Sequence, residues 1–501
     1  MNRWLSMWSM VVLLAWSAPV VVQAGGPPFT LTLKEAIRLA VENNLEVKAE
    51  LFNPAQFEAE VNRNLAIYEP TLALEGAFRD ETLSASATTI GLGLHRSQSW
   101  QVNSSLSRLF PSGATATLGF DNGLFTNNAE TLLNNYWQSG LGVSVSQPLL
   151  KGFGRENTEA GITISRLSKS ASLERLTTQL LTTVAQVRRG YFTLYNLREQ
   201  REVRKGSLAV AQKILTETRT RVEAGVLPAM EILNAEFGVA SRERDLLESE
   251  RQVQDQSDSL GVLLQHHGQG EIEPLDPPRR DPLAVDSGEA IRLALAGPVI
   301  REQRQNLEIS RLETRVLDNK TKPDLSLVAA NTMAGLDANY GRDLEKVGSL
   351  RYPAWAVGLN LTYPLGNAAA ENDYRKSLLK VEQVGVRIRA LEERVVNEVK
   401  AAIRAIETGN QQMGVAARGR VYAEERLKAF IRKNEVGLAT TKEVLEVEND
   451  LARAKSEQIA AVVNHDLAIT RLWEVTGELL ERERIAVSES AADDLYRKTA
   501  R

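Results

Sequence analysis

The sequence predicts an α+β membrane protein in which one module is used twice. Three observations predict it. The hexapeptide Glu35-Ala36-Ile37-Arg38-Leu39-Ala40 recurs letter for letter from Glu289 to Ala294, and other landmarks follow each copy in the same order. Two proline-free stretches, about Arg155 to Glu223 and about Ala370 to Asn434, carry apolar residues in steps of three and four over far more turns than a globular helix uses. Several shorter segments alternate apolar residues with Ser, Gly, Asn or Thr, which suits strands with hydrocarbon on one side and water on the other.

The chain opens with a segment that reads as a secretory signal, residues 1–24. Arg3 supplies the positive start, Met10 to Trp16 the apolar stretch and Val22-Gln23-Ala24 the small-residue cleavage site. A membrane anchor is the competing reading, but Pro19 interrupts the run. No later stretch approaches the roughly 20 apolar residues of a membrane helix, so the mature chain is expected to be exported without a helical span. There is no cysteine. An exported fold without disulfides relies on packing or oligomerisation, and an anchor on an N-terminal cysteine is not expected. Acidic residues number 64 against 60 basic ones, with no basic run. Nucleic acid is therefore not an expected partner.

Each copy begins with a helix start. Thr32-Leu33-Lys34-Glu35 reads as a capping box, and Asp286-Ser287-Gly288-Glu289 repeats it in frame. Strand signals follow Pro70 (Thr71 to Phe78) and Pro323 (Asp324 to Ala329), then come at Gly140 to Ser146 and Ala356 to Tyr363. A soluble half-buried sheet is the competing reading. Trp100, Tyr136, Trp137, Tyr352, Trp355 and Tyr363 at strand ends favour a lipid interface. An insertion at 80–138 in the first copy holds a hairpin about Pro111-Ser112-Gly113. Whether that hairpin joins the other four strands or folds outside them is left open at this stage.

The first long helix is expected to bury a seam of Leu173, Leu176, Leu180, Val184, Val187, Tyr191 and Leu194. At about 1.5 Å per residue it would reach on the order of 100 Å. Gly225 ends it, Pro228 precedes the return, and the return helix carries Leu233, Phe237, Ala240 and Leu247 on one seam. In the second copy Gly437 makes the turn and Thr440 or Thr441 caps a helix with Val444, Val447, Leu451, Ala454, Val462, Ile469 and Leu472. Gly190, Gly206, Gly385 and Gly414 lie inside helices, where close packing is the expected reason for them. The mature chain, 25–501, thus divides into repeat one (about 31–265), a polar linker (266–285), repeat two (about 286–480) and a charged tail (481–501).

Catalytic chemistry finds no footing. His95, His266, His267 and His465 have no metal-ligand spacing. His266 and His267 read as solvated linker residues, and His465 as a packed or lumen-facing one. Gly152-Phe153-Gly154 lacks the third glycine of a dinucleotide turn, and neither a phosphate-binding loop nor a nucleophile elbow occurs. The expectations are no enzyme, no metal and no cofactor.

The ordered landmarks together resemble the TolC-like outer-membrane efflux family, across about Leu31 to Leu480. They are a capped opening helix, a Pro-led strand, strands ending in Gln147-Pro148-Leu149 and Tyr363-Pro364-Leu365, and the turns Glu223-Ala224-Gly225-Val226 and Glu435-Val436-Gly437-Leu438. Gln147 to Arg155 is also similar to that family's strand-to-helix junction. The resemblance implies a homotrimeric transmembrane β-barrel, about four strands per protomer, continuing into a long periplasmic α-helical barrel. It implies a passive outer-membrane exit duct of a tripartite efflux or type I secretion system, with a periplasmic adaptor protein and an inner-membrane transporter as partners and outer-membrane lipid around the barrel. Four strands cannot close on themselves, whereas three chains close about twelve. The alternative is a soluble periplasmic coiled-coil scaffold or adaptor, which would extract without detergent.

By the same resemblance the two turns are the adaptor-docking tips, with Gly225, Val226, Pro228, Gly437, Leu438 and Thr440. The family's acidic gate positions match Glu443 and Glu446, and Glu231 is their counterpart in the first copy. The family pattern has Asp there, and its latch tyrosine and arginine are replaced by Asn434 and Ala439. Rings of carboxylates around a narrow mouth attract cations. Glutamates in a first helical turn also simply complement the helix dipole, and Gly225 and Gly437 also serve as plain helix terminators.

Overall fold

Alternation and helical spacing become regular elements throughout the computed structural model. It describes residues 29–84, 94–128, 134–266, 268 and 270–499. The expected signal segment and His267 lie outside the described residues, as does the side chain of His95. The first copy runs β1 (Phe29–Leu31), α1 (Leu33–Asn43), α2 (Leu45–Leu65), β2 (Thr71–Ser84), β3 (Leu94–Leu109), β4 (Thr115–Asn127), β5 (Asn135–Pro148), α3 (Arg155–Thr158), α4 (Ala160–Glu223) and α5 (Met230–Leu264). After β6 (Ile272–Pro274) come α6 (Ser287–Leu295), α7 (Pro298–Lys320), β7 (Asp324–Asp337), α8 (Tyr340–Gly348), β8 (Pro353–Thr362), α9 (Ala368–Glu435), α10 (Thr441–Thr476), α11 (Leu479–Arg482) and α12 (Glu489–Thr499).

The opening cap forms as a reciprocal box. The Thr32 backbone N–H and hydroxyl donate to Glu35 Oε2 at 3.0 and 2.7 Å, and the Glu35 N–H donates back to Thr32 Oγ1 at 3.3 Å. The second copy differs from expectation. Asp286 Oδ1 accepts from the Gly288 N–H at 3.0 Å, but Glu289 turns to Arg292 at 2.6 Å. Asp286 has no hydroxyl to donate and repels a second carboxylate, so only half the box survives.

Among the described residues, six strands form one antiparallel sheet in the order β2-β3-β4-β5-β7-β8. The four expected strands are β2, β5, β7 and β8, and the inserted hairpin enters between the first two. Of the two alternatives left open for the hairpin, the structure takes the one in which it joins the other four strands, for six in all. Phe78 of β2 faces Trp100 of β3, and Leu118 of β4 faces Val143 of β5. Beyond the hairpin turn the insertion looks loop-like by composition because its Ser and Asn residues are many. They fall mainly on alternate positions, however, with Trp100, Val102 and Leu106 between them. Such a segment is a strand with one wet face. The 331–353 region also holds an unforeseen helix, α8, packed on β5 and β7. Its Asp343 is buried and accepts from the Ser139 hydroxyl at 2.5 Å, while Tyr340 lies 4.6 Å from the Trp137 ring.

The long helices are continuous over 64 residues (α4) and 68 residues (α9). The α4 seam is buried from Leu176 to Leu194, as its spacing requires. The seam assigned to α5 is corrected. Leu233, Phe237 and Leu247 are 61%, 77% and 66% exposed, and the buried face carries Ala235, Gly238, Val253 and Leu260. Small residues win that face because α10 comes too close for larger ones; a Cβ on Gly238 would meet Leu445 Cδ1 at 2.7 Å. Of the interior glycines, Gly190 fits the packing expectation, with Leu260 Cδ1 3.3 Å from where a Cβ would sit, while Gly206 and Gly385 face open space.

The chain divides into two units. The first takes the described residues up to Arg38 together with Gly190–Pro278 and Arg418–Val463. Here the supposed polar linker contains β6, which pairs in parallel with β1. Tyr191, fully buried, donates its hydroxyl to Leu31 O at 3.0 Å and accepts from the Asp276 N–H at 2.8 Å. Burial pushes its phenol up to about 12. His266 is stacked on Phe29 at 4.3 Å, not freely solvated.

The second unit takes Leu39–Arg189, Arg279–Ala417 and Asn464 onward, and holds the six-stranded sheet. Its tail is not a loose extension, because α12 packs on α2. Lys169 Nζ reaches Glu58, Glu489 and Asp493 at 2.9, 2.8 and 2.9 Å. Burial works against that ammonium, but three carboxylates outweigh it and raise its pKa. His465 is fully buried beside Gly409, in keeping with a packed residue. Arg188 donates to Thr470 Oγ1 at 3.0 Å, Glu483 Oε1 at 2.6 Å and Asp466 Oδ2 at 3.3 Å. Asp466 is fully buried, and desolvation raises its pKa against the pull of Arg188.

No helix among the described residues is long and apolar enough to cross a membrane. Removing the Arg188 guanidinium strands a buried carboxylate. Arg188→Ala is expected to cost about 3–5 kcal/mol in detergent-solubilised thermal unfolding. Adding Asp466→Asn should recover part of it. A single variant as stable as the parent would contradict the assignment.

Candidate functional site

The two interhelical turns lie in the first unit and share one construction. Each long helix ends where a glycine takes a left-handed backbone, φ +73° at Gly225 and +76° at Gly437. The residue after each glycine bonds back across the last turn: Val226 N–H to Arg221 O at 2.9 Å, and Leu438 N–H to Lys433 O at 2.8 Å. These are Schellman-type ends, which satisfy carbonyls the helix leaves open.

The return helices start differently. Pro228 lies just ahead of α5, and its carbonyl accepts the Glu231 N–H at 3.0 Å. Thr440 caps α10 with a full box. Its backbone N–H and hydroxyl donate to Glu443 Oε2 at 2.7 and 3.0 Å, and it accepts the Glu443 N–H at 3.2 Å. The Thr440 backbone and hydroxyl bonds hold the Glu443 carboxyl below its usual range. The cap is therefore complete above the ordinary glutamate value and fails only as pH falls through the lowered one.

The tips are tied to one another. Arg221 Nη1 donates to Asn434 Oδ1 at 2.9 Å, and Arg221 Nη2 donates to the Glu435 carbonyl at 2.8 Å. Asn434 Nδ2 spans its own turn to the Ala439 carbonyl at 2.8 Å. Glu231 Oε2 accepts the Thr441 N–H at 3.2 Å. Behind the tips, buried Glu448 accepts from Arg242 Nε at 3.0 Å and from the Ser207 hydroxyl at 2.8 Å. Val226, Val436 and Leu438 stand 66%, 70% and 77% exposed.

Glu231 and Glu443 thus come together on either side of Thr440 and Thr441. Glu446 sits one turn on, exposed and 3.8 Å from Lys442. Each of the three carboxylates has a partner within the chain. The substitutions at Asn434 and Ala439 make a bond of their own. Arg221 and the Arg242–Glu448 pair were not singled out from the sequence. Arg221 carried only the weak signal of a cation in a last helical turn, and its role depends on two tips that lie about 210 residues apart in sequence meeting in space. No cluster of metal-ligating side chains occurs among the described residues.

A family model described as outer membrane efflux protein matches residues 36–264. The outer membrane efflux protein BepC of Brucella suis biovar 1 (strain 1330) is 23% identical over 364 residues, covering 70% of this chain and 75% of BepC. Among solved structures, the outer-membrane channel OprN aligns with TM-score 0.68 at 13% identity, over 89% of each chain. The Campylobacter jejuni CmeC outer membrane channel aligns with TM-score 0.67 at 14% identity, over 93% of this chain and 88% of CmeC. Over the matched region the chain is similar to the outer membrane efflux proteins, and it shares its fold with solved outer-membrane channels.

Replacing Arg221 removes two of the three cross-tip bonds and leaves each Schellman end intact. Arg221→Ala is expected to speed amide exchange several-fold around residues 434–440 while exchange in the α4 seam stays unchanged. Equal exchange at the tips would show that Arg221 does not hold them.

Proposed function

We propose that the chain is the passive exit duct of a tripartite export system, working as a homotrimer. The observation that carries this reading is the sheet with two open edges. Among the described residues β2 and β8 each bond to one neighbour only, and β8 is exposed along its whole length. An open edge in hydrocarbon leaves backbone groups unbonded at several kcal/mol each, so closure by other copies is the available remedy. The exposed α5 seam of Leu233, Phe237 and Leu247 supports the same reading, because a neighbouring protomer would cover it in a helical tube. A soluble scaffold would have no use for apolar strand faces such as Leu359 and Leu361, 68% and 64% exposed.

Within that trimer the 25–501 region acts as one fold made from two copies of a module. The recurring hexapeptide and the paired long-helix, glycine-turn, return-helix segments support this. Substrate passes without a chemical step, the energy coming from an inner-membrane transporter through a periplasmic adaptor. The tips carrying Gly225, Val226, Pro228, Gly437, Leu438 and Thr440 are the adaptor-docking surface. Their exposed Val226, Val436 and Leu438 supply the apolar contact. Glu231, Glu443 and Glu446, repeated three times, ring the periplasmic mouth and favour cations. Arg221 and Asn434 take the place of the family's latch residues inside each chain.

Fractionation should find the protein with outer membranes, released only by detergent; release by salt or osmotic shock would rule out the duct. In planar bilayers the double variant Glu443→Ala with Glu446→Ala should lower cation preference several-fold and raise leak. Unchanged selectivity would reduce these residues to helix caps. A bulky side chain at Gly437, whose left-handed backbone penalises it by about 1–2 kcal/mol, should impair export at normal outer-membrane abundance. Full export would remove the docking role.

A further inference from the structure

The inserted hairpin changes what the barrel must be. β3 and β4 lie in the middle of the ladder, each bonded on both sides, in unbroken register with β2 and β5. Their side chains alternate in phase with the flanking strands. Trp100, Val102 and Leu106 of β3 share the face of Leu72 and Phe78, and Leu118 continues that face into β4. Trp100 and Val102 are 62% and 64% exposed on it. The opposite face of the hairpin is hydrophilic, with Ser105 beside Gly119 and Ser107 bonded to Thr117 at 3.0 Å.

The hairpin is also long enough and fixed at its turn. β3 has 16 residues and β4 has 13, against the roughly 9–11 a tilted membrane strand needs. The turn at Pro111-Ser112-Gly113 is held at the strand-to-helix junction. The Gly154 N–H donates to Ser112 O at 3.0 Å, and Gln147 Nε2 donates to the same carbonyl at 3.1 Å. Gly113 takes φ +86° there, with the Gly152 carbonyl 2.6 Å from where a Cβ would sit. A plug or surface flap would have neither the shared apolar face nor this anchorage.

We infer that β3 and β4 are wall strands, and that three copies of the six-stranded sheet close an eighteen-stranded barrel through β2 of one protomer and β8 of the next. This rests on the trimeric reading above. Six strands bring β2 and β8 to the seam in opposite directions, so every seam is antiparallel, as outer-membrane barrels require. Barrel diameter grows roughly in proportion to strand number, so the exit is about one and a half times as wide as a twelve-stranded one, with about twice the cross-section. Barrels of about 16–18 strands enclose an open aqueous channel. The outer-membrane end is then not the size filter for cargo.

The chain's lack of cysteine gives a clean background for the test. Two double-cysteine variants and a third set of them are oxidised in outer membranes. Ala73→Cys with Ser105→Cys bridges β2 to β3, and Thr117→Cys with Ser144→Cys bridges β4 to β5. A third set pairs Gly76→Cys in β2 with successive positions of β8. The expected result is disulfide-linked peptides within one chain for the first two, and dimer and trimer bands for at least one member of the third. A single-particle map of the unmodified trimer should count eighteen strands. A trimer of twelve strands, with β2 beside β5 and the hairpin outside, would overturn the wide barrel and leave the duct standing. A particle with no shared barrel would overturn both.

Discussion

The backbone groups along the outer edges of β2 and β8 decide what this chain can be. Among the described residues every other strand of the large sheet is bonded on both sides, and these two are bonded on one. In water a bare edge invites aggregation; in hydrocarbon it is untenable, because no solvent replaces the missing bonds. The side chains on those strands settle the choice of medium. Trp355, Val357, Leu359 and Leu361 stand outward on β8, an arrangement that suits lipid and not water. The proposed trimer completes such a sheet, copies of the chain supplying the missing partners. The exposed apolar row on α5 makes the same demand in the helical region, independently of the sheet.

Much of this was legible in the sequence, and the failures are instructive. The long helices were readable because spacing in threes and fours over sixty residues has no other explanation, and the buried row from Leu176 to Leu194 follows it. The Thr32–Glu35 box was readable because its bonds are local. Whether the hairpin joins the sheet was not, since Ser- and Asn-rich composition masked the full alternation of β3 and β4. The α5 seam was misassigned for a different reason. Periodicity identifies an apolar row but not what will cover it, and here Ala235 and Gly238 took the intrachain contact because Leu445 needed the room. α12 and β6 were hidden because their partners, α2 and β1, are distant in sequence.

The tips show the same division between local and distant causes. Gly225 and Gly437 as helix terminators, and Thr440 as a cap, could be read from a few neighbouring residues. The bond from Arg221 to Asn434 could not, because it exists only once the two hairpins lie side by side. The glutamates keep a double character. Glu443 closes a capping box through Oε2, and the proposed acidic ring would draw on the same residue in each copy. A carboxylate fixed by its own cap is a pre-positioned charge, which is what a selective mouth would use.

The account stands on self-completion by copies of one chain. Native mass spectrometry of the mature protein, released from its detergent micelle at increasing collision energy, addresses this most directly. The prediction is a complex of three chains, with no abundant monomer until the energy is enough to unfold the protein. A monomer that leaves the micelle intact at low energy and keeps its strand content would mean that β2 and β8 find their partners elsewhere, and the duct would lose its physical basis.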